Sequence, residues 1–423
     1  MLAFKDFEEK ILAALKQESG TVLKNLLEKH PDAFFATLRR VRPILQVRGG
    51  PVFVTLFDDV QEVLSRPEVF TVKGYATKMD PSVGPYMLAR DGTTLNDRDK
   101  GIMRAMLRRE DLPQVRQSVA RLAAAAVRGS ARDGRLEVVS DLARKVPIQL
   151  TGEYFGFPGP DLATMMRWSR ATQHDMFHNL ENDAAVHAAN VQAGAEMRTY
   201  LSKLLEQRRA ELARDDSADD TLARLLKSHF PDSIGFDDER VLANMMGLLV
   251  GGVETTSQAI VQILDQLLDR PEQLAALRAA AQSGDDNAVY DLCWEALRFN
   301  PINPFVVRVC VVDYVLASGT ARATSIAPGT TVLASTRSAM RDEHELDDPE
   351  QFRPGRPDYH YMHMGYGLHT CLGDHVSTVQ IPEVVKQLVL AANVSRVQGE
   401  EGRIDFQGGP FPERFVVAVG DPN

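Results

Sequence analysis

Apolar residues recur at helical spacing along most of this chain and reach strand-like density in only a few short stretches. Phe4, Phe7, Ile11, Leu12 and Leu15 fall on one helical face, so short amphipathic helices are expected over residues 5–40. ILQVRGGPVFVTLF, residues 44–57, predicts two strands joined by a Gly-Gly-Pro turn. Asp58 or Asp59 is placed to cap the helix that follows, and Pro67 to end it. Residues 72–95 carry Gly74, Pro81, Gly84, Pro85 and Gly92 without a period, the pattern of a long loop. From about 97 to 300 the pattern is helical, broken at Pro113, Pro147, residues 156–160 and the charged run 214–220. β-branched residues return over 306–335, residues 341–363 are irregular, helix resumes after 372, and RFVVAV near the end is strand-like. The expected fold class is mainly α with a minor β portion, not an alternating α/β sheet.

Composition adds exclusions rather than a function. The 423 residues are 44% hydrophobic and 25% charged, with 48 Lys plus Arg against 58 Asp plus Glu, a net charge of −10. Such values exclude a disordered or collagen-like chain, and the acidic balance gives no reason to expect nucleic acid. Three cysteines, Cys293, Cys310 and Cys371, are too few for a disulfide framework and point to a reducing, cytoplasmic setting. Charges at Lys5, Asp6, Glu8, Glu9 and Lys10 interrupt any signal-peptide core. The longest apolar candidate, residues 245–253, falls well short of the roughly 18 residues a membrane span needs.

Chemistry concentrates in three places. In HMGYGLHTCLG, residues 363–373, Gly365, Gly367 and Gly373 surround Cys371. Glycines there let backbone approach a ligand closely and leave N–H groups to stabilise a thiolate, the ligand form of cysteine. The helix starting after Gly373 would bring its positive end toward the sulfur. Zinc is a competing ligand for a region holding His360, His363, His369 and His375, but the paired cysteine spacing of structural zinc sites is missing. Second, Glu295 and Arg298 are three apart on a helix of roughly 287–299. They form either a solvated ion pair or, beside Trp294 and Leu297, a buried one. Third, LLVGGVETTSQAI lies in an uninterrupted helical pattern from about Asp237 to Leu268. Gly251 and Gly252 each cost about 1 kcal/mol there relative to alanine. Thr255 can bond back to the carbonyl of Gly251 and open the helix locally.

A glycine-broken long helix, then Glu-x-x-Arg, then Gly-x-His-x-Cys-x-Gly, in that order, resembles the cytochrome P450 family over about residues 40–420, and in particular its soluble bacterial members. The resemblance implies one domain over 1–423. A small β-containing lobe would take about 40–70 and 301–340, and a helical lobe about 97–300 and 372–395. It implies haem b, iron protoporphyrin IX, with Cys371 as the thiolate ligand of the iron, an arrangement that favours O–O cleavage. His369 and Arg308 match propionate contacts. Lys100 and Arg104 stand where the family usually offers His and Arg. Glu295 and Arg298 would lock the fold with Arg356. Gly251, Gly252, Gly365, Gly367, Gly373 and Met364 would face the haem. Met364 replaces the usual Phe, Asp374 a small residue, and Gly251 the usual Ala. Glu254 and Thr255 match the family's acid–alcohol pair, which delivers protons to the oxygen chemistry.

By position, a medium-sized apolar organic substrate would meet the 72–95 loop, Leu248, the segment Asn303, Phe305 and Val306, and Phe411, under a roof containing Met165, Met166, Met176 and Met197. Electrons would come from a separate ferredoxin or flavodoxin with its reductase, steered by Lys100, Arg104, Arg108 and Arg109. The expected activity is that of a monooxygenase. The alternatives are a peroxide-driven peroxygenase or oxygen-independent isomerase or dehydratase on the same fold, and a non-catalytic haem sensor.

Overall fold

The computed structural model describes residues 9–13 and 20–420. Phe4, Phe7 and Leu15 of the N-terminal amphipathic pattern lie outside the described residues, whereas Ile11 is fully buried. The chain forms two compact units.

The first unit comprises residues up to 74, 90–92 and 303–371. Its five-stranded sheet runs Ile44–Gln46, Val52–Val54, Thr331–Ala334, Val306–Cys310 and Phe70–Thr71 in spatial order. The two strands expected around the Gly-Gly-Pro turn pair antiparallel, with Ile44 opposite Val54. Val52–Val54 then runs parallel to Val332–Ala334. One face of this sheet packs Val52, Val54, Phe70 and Cys310 into a core with Met340 and Met362. The other packs Leu45, Phe53 and Leu333 against Phe34, Phe35 and Leu38 of the Pro31–Val41 helix. Neither Asp58 nor Asp59 caps the helix Phe57–Leu64, contrary to expectation: Leu56 is the N-cap, Asp342 accepts the Phe57 N–H at 2.8 Å, and Asp59 is occupied by Arg322. That helix also stops at Leu64, before Pro67.

The second unit comprises 75–89, 93–302 and the chain from 372 on. It is helical, with the Leu112–Ser130 and Asp374–Ala391 helices packed along one another and a three-stranded sheet of Arg135–Glu137, Val416–Gly420 and Asn393–Arg396. The Arg135–Glu137 strand interrupts a region expected to be overwhelmingly helical, because Val416–Ala418 supplies its pairing partner. Residues 72–95 are not a plain loop: they contain the helix Ala76–Val83 with Pro81 inside it. Long-range contacts override the weak local pattern there. Asn190 on the Ala184–Leu212 helix donates to the Lys78 carbonyl at 2.9 Å and accepts from Ser82 at 3.2 Å. A side chain at Gly194 would come within 2.4 Å of the Ser82 carbonyl oxygen, so only glycine permits this crossing.

The helix expected from Asp237 to Leu268 is two helices, Asp238–Gly252 and Glu254–Leu268, meeting at Val253. Farther along, Glu295 and Arg298 sit on Asp286–Phe299, fully buried, joined by two hydrogen bonds of 2.9 and 2.7 Å. Two parallel N–H···O bonds are the geometry that a buried pair needs to offset its desolvation. Glu295→Ala should therefore lower unfolding stability by about 3–5 kcal/mol, because it leaves a guanidinium in the core without its carboxylate. Urea midpoints check this; a change under about 1 kcal/mol would assign the pair to the surface class.

Candidate active site

The cysteine loop belongs to the first unit and is shaped by two left-handed glycines. Gly365 and Gly367 have φ of 73° and 71°, values that side chains with a Cβ rarely adopt. At Gly367 a Cβ would also stand 2.6 Å from the Leu64 carbonyl oxygen, so the loop presses directly onto the end of the Phe57–Leu64 helix. The Cys371 N–H donates to the Met364 carbonyl at 2.9 Å, closing the loop. Cys371 is exposed, whereas Cys293 and Cys310 are buried. Burial pushes the Cys293 thiol far up, and Cys310 is raised by burial as well. Of the three cysteines, Cys371 alone is an exposed residue, and it is set in a glycine-bent loop.

His369 lies 2.9 Å through Nε2 from Asp91, a partner that no sequence pattern pointed to. Arg308 is buried on Val306–Cys310. Arg356 is buried too and donates to the carbonyls of Asp347, Asp348 and Gln351, folding the irregular 347–356 segment on itself. Phe305 packs edge-on against Phe53, and Val306 against the other sheet core, so both serve the sheet first.

In the second unit, every residue from Arg240 to Val250 is buried, and then Gly251 is exposed. A Cβ at Gly251 would meet nothing within 4 Å. Thr255 Oγ1 donates to the Gly251 carbonyl at 2.6 Å, the back-bond expected from the sequence, and the helix breaks there. Glu254 is 1% exposed. Its Oε1 accepts from Arg144 Nε at 3.1 Å, Arg144 Nη2 at 2.7 Å and Ser169 at 2.8 Å. Arg170 Nη2 lies 3.1 Å from Oε2 as an ion pair without hydrogen-bond alignment. Two guanidinium groups and a hydroxyl thus compensate one buried carboxylate. Arg170 also reaches the part-exposed Glu413 at 2.7 Å.

A family model described as cytochrome P450 matches residues 161–406. The chain belongs to the cytochrome P450 family. It is 29% identical over 371 residues to the cytochrome P450 monooxygenase PikC of Streptomyces venezuelae, covering 85% of this chain and 83% of that one. It is 27% identical over 388 residues to nocardicin C N-oxygenase of Nocardia uniformis subsp. tsuyamanensis, covering 88% and 89%. Among solved structures, cytochrome P450 CYP109Q5 from Chondromyces apiculatus superposes with a TM-score of 0.78 over 96% of this chain and 97% of that one, at 23% identity, a likeness of fold. The protein is therefore a cytochrome P450 monooxygenase whose cofactor is haem.

The residues present fit that cofactor. An exposed cysteine in a tight glycine loop is a donor for iron. Among the described residues no cluster of three or more His, Cys, Asp or Glu could hold another metal, so the zinc alternative finds no site there. No helix among them is long and apolar enough to cross a membrane. Lys100 is half-buried and Arg104 exposed on the helix Thr94–Met106. Met165, Met176 and Met197 are core residues; a Cβ on Gly159 would collide with the Met165 sulfur. Leu248 is buried.

Phe411, expected to meet substrate, is 1% exposed and boxed in by its own unit. The Arg170 guanidinium lies over its ring at 4.2 Å, and the rings of His178 and His174 stand edge-on at 4.8 and 5.8 Å. Burial, with His174 and Arg170 adding positive charge, lowers the His178 pKa from 6.5 to about 4. His178 is neutral in the folded protein at pH values where the unfolded chain already protonates it. Stability is fully present above 6.5 and falls as the pH drops toward about 4. His178→Asn should remove part of that acid sensitivity. Urea midpoints of both proteins at pH 7 and pH 5 would show it, and identical pH slopes would exclude His178 as a source.

Proposed function

We propose that the protein inserts one oxygen atom of O2 into a medium-sized, largely apolar organic substrate, with Cys371 as the iron ligand. The observation that carries this is the setting of Cys371: an exposed residue whose N–H donates to the Met364 carbonyl, in a loop bent by Gly365 and Gly367. Haem, when bound, supplies the oxidising chemistry. The other residues bind, orient and move protons. His369 and Arg308, with Lys100 and Arg104, hold the propionates. The Lys100 ammonium acts there as a point charge rather than as a ring with fixed donors.

One oxygen atom enters the substrate and the other leaves as water, so the reaction consumes two electrons and two protons. Thr255 serves the proton path at the helix break: its hydroxyl donates to the Gly251 carbonyl, which leaves its oxygen free to accept a hydrogen bond from the oxygen species to be protonated. Glu254 resupplies them. Its Oε1 is held by Arg144 and Ser169, so each transfer requires that clamp to loosen. This makes Glu254 a controlled relay rather than an open channel. Nothing in this role suits an oxygen-independent isomerase, which needs no proton delivery to oxygen. Electrons arrive from a separate ferredoxin or flavodoxin with its reductase, for which the exposed Arg108 and Arg109 offer a basic landing surface; Arg108 is already shared with Asp219 at 3.6 Å. Leu248 and the open face at Gly251 make the substrate surface apolar.

Cys371→Ser should abolish the long-wavelength band of the reduced, carbon-monoxide-bound protein that marks thiolate ligation; an unchanged spectrum would exclude Cys371. Thr255→Ala should keep oxygen consumption but divert most of it to hydrogen peroxide, read as the ratio of peroxide to product. An unaltered ratio would remove Thr255 from the proton path.

A further inference from the structure

Asp91 belongs to no recognisable motif, yet the chain detours to place it. Residues 90–92 group with the first unit, while 75–89 and 93–302 on either side group with the second. The Asp91 carboxylate is anchored first by the backbone: Val72 N–H donates to its two oxygens at 2.9 and 3.1 Å. Oδ1 then lies 2.9 Å from His369 Nε2. The two side chains are 15% and 8% exposed, sheltered enough for a charge-assisted bond to outweigh the small value of a surface pair. A carboxylate only accepts, so Nε2 carries the hydrogen in this bond. With Nε2 committed, Nδ1 is the nitrogen left to meet another group.

We propose that Asp91 is a positioning residue for haem binding: anchored by Val72, it fixes the orientation of the His369 ring so that Nδ1 is presented to a haem propionate. The inference rests on the assignment of His369 as a propionate contact. For metal-ligating histidines, an outer partner that orients the ring is typically worth about 10–100-fold in affinity, and a histidine that holds a propionate depends on the same control of ring orientation.

The test is the rate of haem transfer from the ferric holoenzyme to excess apomyoglobin, for the wild type and the variants Asp91→Ala, Asp91→Asn, His369→Ala and Asp91→Ala/His369→Ala. Asp91→Ala should lose haem about tenfold faster. Asp91→Asn, whose Oδ1 can still accept from both the ring and the Val72 N–H while its NH2 cannot replace the second carboxylate oxygen, should recover part of the difference. The double variant should lose haem no faster than His369→Ala alone, because Asp91 acts through that ring. Independent, multiplicative effects would overturn the proposal, as would an Asp91→Ala protein that keeps haem as well as the wild type. If His369→Ala itself leaves haem transfer unchanged, the propionate assignment beneath the proposal falls with it. Retention of the thiolate-type carbon-monoxide spectrum and of the urea midpoint in each variant separates loss of ring positioning from loss of the iron ligand or of the fold.

Discussion

A carboxylate removed from water has to be met by positive charge and hydrogen-bond donors, and at Glu254 this requirement organises the second unit. Arg144 comes from the junction between the helical segments Val139–Ala143 and Lys145–Glu153, Ser169 and Arg170 from the Leu162–Gln173 helix, and Glu254 from the first turn of Glu254–Leu268. Three separated segments converge on one side chain. Removing Arg144 would take away the guanidinium that is hydrogen-bonded to Glu254 in the interior, where the cost is several kcal/mol rather than tenths. The same clamp sits one residue from Thr255, so the contacts that stabilise the fold are also those that the proposed proton path would have to open.

The parts of the fold legible in the sequence were those set by local rules. The Gly-Gly-Pro hairpin, the buried Glu295–Arg298 spacing and the back-bond from Thr255 to Gly251 each follow from residues within a few positions of one another. The glycine loop around Cys371 was legible for the same reason: left-handed backbone at Gly365 and Gly367 is a local demand. That Cys371 alone of the three cysteines is exposed fits the role that the spacing implied.

What stayed hidden depends on distance along the chain. Arg144 lies 110 residues from Glu254 and Ser169 85, separations across which no period or motif operates. Asp91 and His369 are 278 apart. The helix Ala76–Val83 was missed because Pro81 and the flanking glycines mark a loop, while the contacts that hold it as a helix come from Asn190 and Gly194. Asp59 misled in the opposite way: it has the right chemistry for a cap, but Arg322 claims it. Phe411 looked like a pocket residue by position and instead lies boxed by Arg170, His174 and His178.

The glycines of the Asp238–Gly252 helix divide the labour unequally. At Gly247 a Cβ would stand 2.3 Å from the Tyr86 ring, whereas at Gly251 it would touch nothing. A programme of directed evolution on this enzyme therefore has one dial and one bolt on the same helix. A methyl added at position 251 is accommodated without disturbing the scaffold, whereas one added at 247 must displace the Tyr86 ring.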